Sequence, residues 1–227
     1  MSLSRLVICL GLLLCVSSTF AQTIKKYCAT DGAKLDVHLF GSTFEDESLQ
    51  KLSKKNLTDF KASFKMGDRI RLYSHTSDGY SISFDQCVPG CPNVGFMDQF
   101  FSSTCSATIA KRDSRSFERS FAIAVLKNYE NPAGGYDIFK SIQQLADVYG
   151  VSVDDTKIYA VISMVPSGIK SNDRKGLNKL YRQGKEGMQF PASFPSVDLI
   201  GASSSTEIQE FWNDVLDEKA KFNFVRF

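Results

Sequence analysis

Few side chains in this 227-residue chain are of a type and spacing to do chemistry. The first are the hydroxyls of a turn, Gly41-Ser42-Thr43, which ends an apolar run at 34–40, KLDVHLF. Such a turn can bind, yet it holds no carboxylate, which weakens both a catalytic and a metal reading. The second are two imidazoles, His38 and His75. A nucleophilic triad needs a Ser or Cys, a base and an orienting group, and no G-x-S-x-G elbow precedes a helix anywhere in the chain. Both histidines therefore read as satisfied structural residues, close together only if their two strands are neighbours. Acidic residues are scattered on helix surfaces without a spaced pair, so no catalytic residue is assigned. No P-loop or dinucleotide fingerprint is present, and no cofactor is expected. The run GASSST at 201–206 could hold an anion on its free amides, but the same residues cap a helix.

Cysteine sets the compartment. Residues 1–21 read as a secretory leader, with Arg5, an apolar core at 6–16 and small residues before a cleavage point after Ala21. That run is shorter than the roughly 20 residues of a spanning helix, so no stable membrane span is expected after cleavage. Cys9 and Cys15 leave with the leader, and Cys28, Cys87, Cys91 and Cys105 remain. An even count in an exported chain suggests two disulfides, and a zinc site is disfavoured because no histidine lies near. Three pairings are possible. Cys87 and Cys91 flank a tight Val-Pro-Gly turn, which favours outward pairing, Cys28 with Cys87 and Cys91 with Cys105.

The formal charge of +2 falls to +1 once Arg5 is gone, and nothing in it points to nucleic acid. One local excess stands out: Lys170, Arg174, Lys175, Lys179, Arg182 and Lys185 against Asp173 alone. These six could meet an acidic partner or form a solvated helix face. Asn56-Leu57-Thr58 matches a glycosylation acceptor but falls inside an expected helix. Eighteen Phe and eight Tyr indicate a substantial core, and residues 22–227 read as a single domain.

The elements that position these groups alternate. Strands are expected at 34–40, 69–74, 80–84, 157–165 and 197–200, with an edge strand or packed tail at 222–227. The strand at 69–74 is placed nearer the sheet margin, and 76–79 has hairpin composition. Helices are expected at 45–64, 114–129, 136–149 and 204–216, with a weakly helical basic segment at 172–185 and a stapled loop at 87–112. Alternation of this kind is an α/β fold with a mainly parallel sheet and helices on both faces. Binding edges in such sheets lie beyond the carboxyl ends of the strands, which groups Ser42, Thr43, Gly135 and Ser167.

In this order, with "GDRIRLY" at 67–73, "SISFDQCVPGCPN" at 81–93, "IFKSIQQLA" at 138–146 and "IYAVISMV" at 158–165, the chain resembles von Willebrand factor A-type domains. It is similar in particular to exported bacterial relatives of that Rossmann-like family. The resemblance implies a cation site built from an Asp-x-Ser-x-Ser turn, a Thr from a neighbouring loop and an Asp after the fourth strand. Here the turn reads Phe40-Gly41-Ser42-Thr43-Phe44 and the later position Ser163-Met164-Val165-Pro166. Both acids are missing, so no metal is expected, and Asp36 sits too far inside its strand to substitute. These readings converge on a periplasmic or secreted, non-enzymatic domain that binds a protein partner. The alternatives are a hydrolase working at the carboxyl edge and an accessory factor of a conjugation or secretion apparatus.

Overall fold

Alternation in KLDVHL places Leu35, Val37 and Leu39 on one face of a strand and Asp36 and His38 on the other, and every one of the five is buried. This strand, β1 (Lys34–Leu39), lies inside the sheet. A computed structural model describes residues 27–43, 47–76, 78–91, 105–130, 137–149, 155–165, 169, 173–191, 194–200, 205–216 and 221–225. The expected leader at 1–21, residues 92–104 of the stapled loop, Gly135, Ser167, Lys170 and residues 201–204 lie outside the described residues.

After β1 come a short 3-10 turn (Gly41–Thr43), α1 (Glu47–Lys61), β2 (Arg69–Thr76), β3 (Gly79–Cys87), α2 (Ala107–Glu130) and α3 (Ile138–Val148). Then follow β4 (Thr156–Val161), α4 (Arg174–Gly187), β5 (Val197–Ile200), α5 (Thr206–Leu216) and β6 (Phe222–Val225). The six strands form one sheet in the order β3-β2-β1-β4-β5-β6. All neighbours are parallel except β2 and β3, which form an antiparallel hairpin. The chain is thus α/β with a mainly parallel sheet. Its tail is an edge strand, and β2 lies one place inside the opposite edge.

The two faces carry different cores. On one, Leu35, Val37, Leu39, Ile70, Leu72 and Phe84 meet Leu57 and Phe60 of α1 and Phe117 and Phe121 of α2. On the other, β4 and β5 pack against α3, α4 and α5, with Trp212 fully buried, whereas β2 and β3 contribute nothing to that cluster. Burying each such Leu or Phe stabilises by about 1.5–3 kcal/mol, so the apolar halves hold the layers together. The remaining half-face, over β1 and β2, is polar.

Three boundaries differ from the sequence reading for identifiable reasons. Helix α2 begins at Ala107, not near 114, because Ala110 continues the buried stripe of Phe117, Phe121 and Ala124 under a charged exterior. Strand β4 stops at Val161, since Met164 turns into a left-handed conformation (φ 58°). The basic segment is a full α-helix, started by Asp173, whose carboxylate accepts from the Gly176 amide. Its Gly184 sits where a Cβ would strike Phe139 and Val215, so close helix packing requires glycine there.

Two disulfides staple the chain, Cys28–Cys87 and Cys91–Cys105, the pairing favoured above. All four sulfurs are in covalent pairs and none is a zinc thiolate. Intramolecular disulfides fit an oxidising, extracytoplasmic compartment. No helix among the described residues is long and apolar enough to cross a membrane.

Candidate functional site

The strand order reverses direction between β1 and β4, so the crevice beyond their carboxyl ends is where an α/β sheet ordinarily binds. Here that crevice is stitched by the protein itself. The Phe40 amide donates to the Val161 carbonyl at 3.0 Å, and the Ser163 amide donates to Thr43 Oγ1 at 3.0 Å. Thr43, a sequence-derived edge candidate, is therefore buried and turned inward. Ser42 lies in the same turn. Gly41 brings this turn so close to the Asn128 carbonyl of α2 that a Cβ would overlap it. Across the crevice the Met164 carbonyl accepts from Trp212 Nε1 at 2.6 Å, which satisfies the backbone group exposed by the left-handed turn.

The basic candidates separate into two groups. Lys175, Lys179 and Arg182 are exposed and recur at i, i+4 and i+7 along α4, a single outward stripe. Arg174 instead faces α5, where the Ser205 hydroxyl, the local backbone amide and Arg174 together hold the Glu207 carboxyl below its usual value. Glu210 and Asp214 line the same seam, so part of the positive excess is balanced by the neighbouring helix. Lys185 lies near the end of α4.

The two histidines and Asp36 belong to one buried network. Because β1 and β2 are parallel neighbours in the register Asp36 with Arg71 and His38 with Tyr73, polar stripes on the two strands coincide. Arg71 donates through Nε and Nη2 to Asp36 Oδ1 and Oδ2 at 2.7 and 2.8 Å. Tyr149, capping the C-terminus of α3, donates its phenol to Asp36 Oδ2 at 2.9 Å. The phenolic oxygen lies 2.5 Å from His38 Nε2, His38 Nδ1 lies 2.8 Å from His75 Nε2, and His75 Nδ1 lies 3.1 Å from Gln144 Oε1. Gln144 Nε2 donates to the Thr76 carbonyl at 3.1 Å. Asp36 and His38 are fully buried, and His75 is 4 % exposed.

Burial lowers the basicity of His38, helped by His75 and Arg71, and lowers His75 to about 4 against a pull upward from Gln144. Burial, then the Asp36 carboxylate, pushes the Tyr149 phenol far above its ordinary value, so it is a poor nucleophile. All four imidazole nitrogens have partners within the network. The histidines are close because their strands are adjacent, and Asp36 is engaged by Arg71 and Tyr149.

The network ends at an open surface created by a β-bulge. Between Leu72–Phe84 and Tyr73–Ile82 the register of β2 and β3 slips by one residue. Phe84 consequently points into the α2 core, touching Phe117 and Phe121. Tyr80 emerges on the other face, against Tyr73 and His75, and Ile82 shares that face through its pairing with Tyr73. With no helix seated over this corner among the described residues, Tyr80 and Ile82 remain 47 % and 54 % exposed. Next to Tyr80 an open groove of about 1140 Å³ runs between the hairpin tip and α3. Its lining includes Gln144, four carboxylates (Asp78, Asp137, Asp147 and Glu186) and Lys140. Among the described residues no group of three or more His, Cys, Asp or Glu is arranged to hold a metal ion.

Arg71, Gln144 and Tyr149 were missed by sequence reasoning. The legible signal was the coincidence of two period-2 stripes, Asp36/His38 and Arg71/Tyr73/His75, whose meaning depended on the strands being neighbours. Compared with protein-family models, curated proteins and solved structures, the chain matches none.

Proposed function

We propose that this chain is an exported, non-enzymatic protein-recognition domain of von Willebrand A-like architecture, working in the periplasm or outside the cell. An extended segment of a partner adds along β3 and packs on Tyr80 and Ile82. The observation that carries this reading is the exposure of those two side chains on an edge strand. The outer edge of β3 has no strand partner among the described residues, and residues 80–84, Tyr-Ser-Ile-Ser-Phe, include neither charge nor proline to blunt it. An unprotected edge of this kind is a template for strand addition, with main-chain hydrogen bonds for affinity and alternate side chains for specificity. The bulge restricts addition to 79–82, the half of the strand where both faces are open.

Supporting the architecture are the strand order, the antiparallel edge hairpin and the hydroxyl turn at the β1–β4 crevice. Supporting the location are the two disulfides and the apolar run at 6–16, which reads as part of a leader. A function confined to the crevice fits less well, because Thr43 serves the backbone of Ser163 rather than a ligand. The test is site-specific photo-cross-linking of the disulfide-bonded protein in its native envelope, with the probe at position 82 or at Lys111 on the exposed side of α2. A discrete adduct from position 82 alone, competed by unlabelled protein but not by its Ile82→Arg variant, is the expected result. Equal labelling from both positions would overturn the reading.

A further inference from the structure

Proton counting along the buried network leaves one position open. The chain Asp36, Tyr149, His38, His75, Gln144 contains four links, and each hydrogen bond needs one proton. Both ends are acceptors. Asp36 already receives two N–H groups of Arg71 and, as a carboxylate, can only accept from Tyr149. At the far end the Thr76 carbonyl requires the amide NH₂ of Gln144, so Gln144 presents Oε1 to His75. Tyr149 donates its single proton to Asp36, and its oxygen then requires Nε2–H on His38. Gln144 Oε1 requires Nδ1–H on His75. Two neutral imidazoles with those tautomers face each other through bare nitrogens, His38 Nδ1 and His75 Nε2, only 2.8 Å apart. Tyr149 and two neutral rings supply three protons for four links.

We propose that His38 and His75 form a single proton-binding site, in which one proton taken from solvent is shared between the two rings and completes the network. The inference concerns the chain itself and does not rest on which partner β3 takes. With the site empty, one link must give. His75 then moves its proton to Nε2 and donates to His38, and its bare Nδ1 faces the oxygen of Gln144, the longest link of the four. Gln144 lines the open groove and also holds the carbonyl of Thr76, the last residue of β2 before the hairpin tip. Occupancy of the site therefore sets how firmly the hairpin that carries Tyr80 is tied to α3.

Every group around the pair bears on this. From β1 comes Asp36 and from the residue just after it the ring of Phe40, which stacks on His75 at 4.0 Å, and from β2 come Arg71 and Tyr73, the latter stacked on His38 at 4.5 Å. α3 supplies Gln144 and Tyr149, β3 supplies Tyr80, and β4 sets only Ala160 beside His38. Beyond Gln144, the groove carries Asp78, Lys140 and Asp147. Asp36 is neutralised by Arg71, so the added proton carries an unbalanced positive charge and enters only below neutral pH, in line with the lowered basicity of both rings.

The chain has only two histidines, so imidazole ¹⁵N spectra of the full, disulfide-bonded protein are unambiguous. Titrated downward from neutral pH, both rings are expected to move in one common transition that accounts for one proton. His38 Nε2 is protonated throughout, and His75 Nδ1 gains its proton in that transition. Two independent transitions at ordinary imidazole values would overturn the proposal. So would His75 already protonated at Nδ1 at neutral pH, or global unfolding before any imidazole responds. In the Gln144→Met variant, which removes the end acceptor, the proton affinity of the pair is expected to fall about tenfold. An unchanged midpoint would overturn the link to Gln144.

Discussion

Asp36 and Arg71 stand opposite each other on adjacent parallel strands, joined by two hydrogen bonds of 2.7 and 2.8 Å, with Asp36 fully buried and the Arg71 side chain 28 % exposed. The arginine lies at the rim of the uncovered sheet corner and reaches inward to a carboxylate that the histidine network also uses. Removing it would leave that charge uncompensated. Arg71→Met is therefore expected to destabilise the protein by about 3–5 kcal/mol, as measured by urea unfolding. The double variant Asp36→Asn/Arg71→Met recovers a large part of that loss, because no buried charge is then left unpaired. Additive effects would show that the pair is not coupled.

Acid should weaken the fold through the same corner. Burial holds both imidazoles below their ordinary value of 6.5, so as pH falls the unfolded chain binds protons before the folded one does. The share held by His75 is complete above about pH 6.5 and is lost as pH drops toward about 4, the value to which that ring is lowered. His75 alone accounts for on the order of 3 kcal/mol over that window. Denaturant midpoints collected from pH 7.5 to 4 check this, and a flat profile would contradict it.

The two disulfides should differ in weight. Cys28–Cys87 closes 59 residues and Cys91–Cys105 closes 14. Chain entropy gives about 4 kcal/mol for the longer loop and about 3 kcal/mol for the shorter. Paired Cys→Ala variants, compared by thermal unfolding, should lose stability in that order. The Cys28 and Cys87 variant should lose more for a second reason: Cys87 is buried at the end of β3, and the segment before β1 is tied there.

Trp212→Phe tests how the β1–β4 crevice is held. The indole N–H is the donor to the Met164 carbonyl, and both residues have no exposed surface. Phenylalanine fills most of the volume but leaves that carbonyl without its donor, at a cost of about 1–3 kcal/mol. Calorimetry on the purified variant measures the loss. Faster exchange of the Ser163 amide would show that the effect reaches the Thr43 link.

Much of the layering was readable from local pattern. Alternation in residues 34–39, the apolar run at 158–165 and the stripe of Ile208, Phe211, Trp212 and Val215 are short-range signals, since strand and helix periods are written within a few residues. The α/β class, the hairpin and the even cysteine count followed from them. The start of α2 was not readable, because its first turns bury little beyond Ala110. The basic excess on α4 was visible as charge, but the α5 acids Glu207, Glu210 and Asp214 that face Arg174 were not, for they lie a strand away in the chain.

Strand order, register and the bulge at Ser83 are properties of pairing, and pairing is chosen by contacts far apart in sequence. Composition could mark His38 and His75 as lone imidazoles in separate strands. Only the parallel contact of β1 with β2, and the return of α3 across them, brought both rings to Tyr149 and Gln144. Likewise Tyr80, Ile82 and Phe84 read as one face of a strand. A single slipped residue divided them between a core and an open surface, because each register step turns a side chain from one side of a sheet to the other.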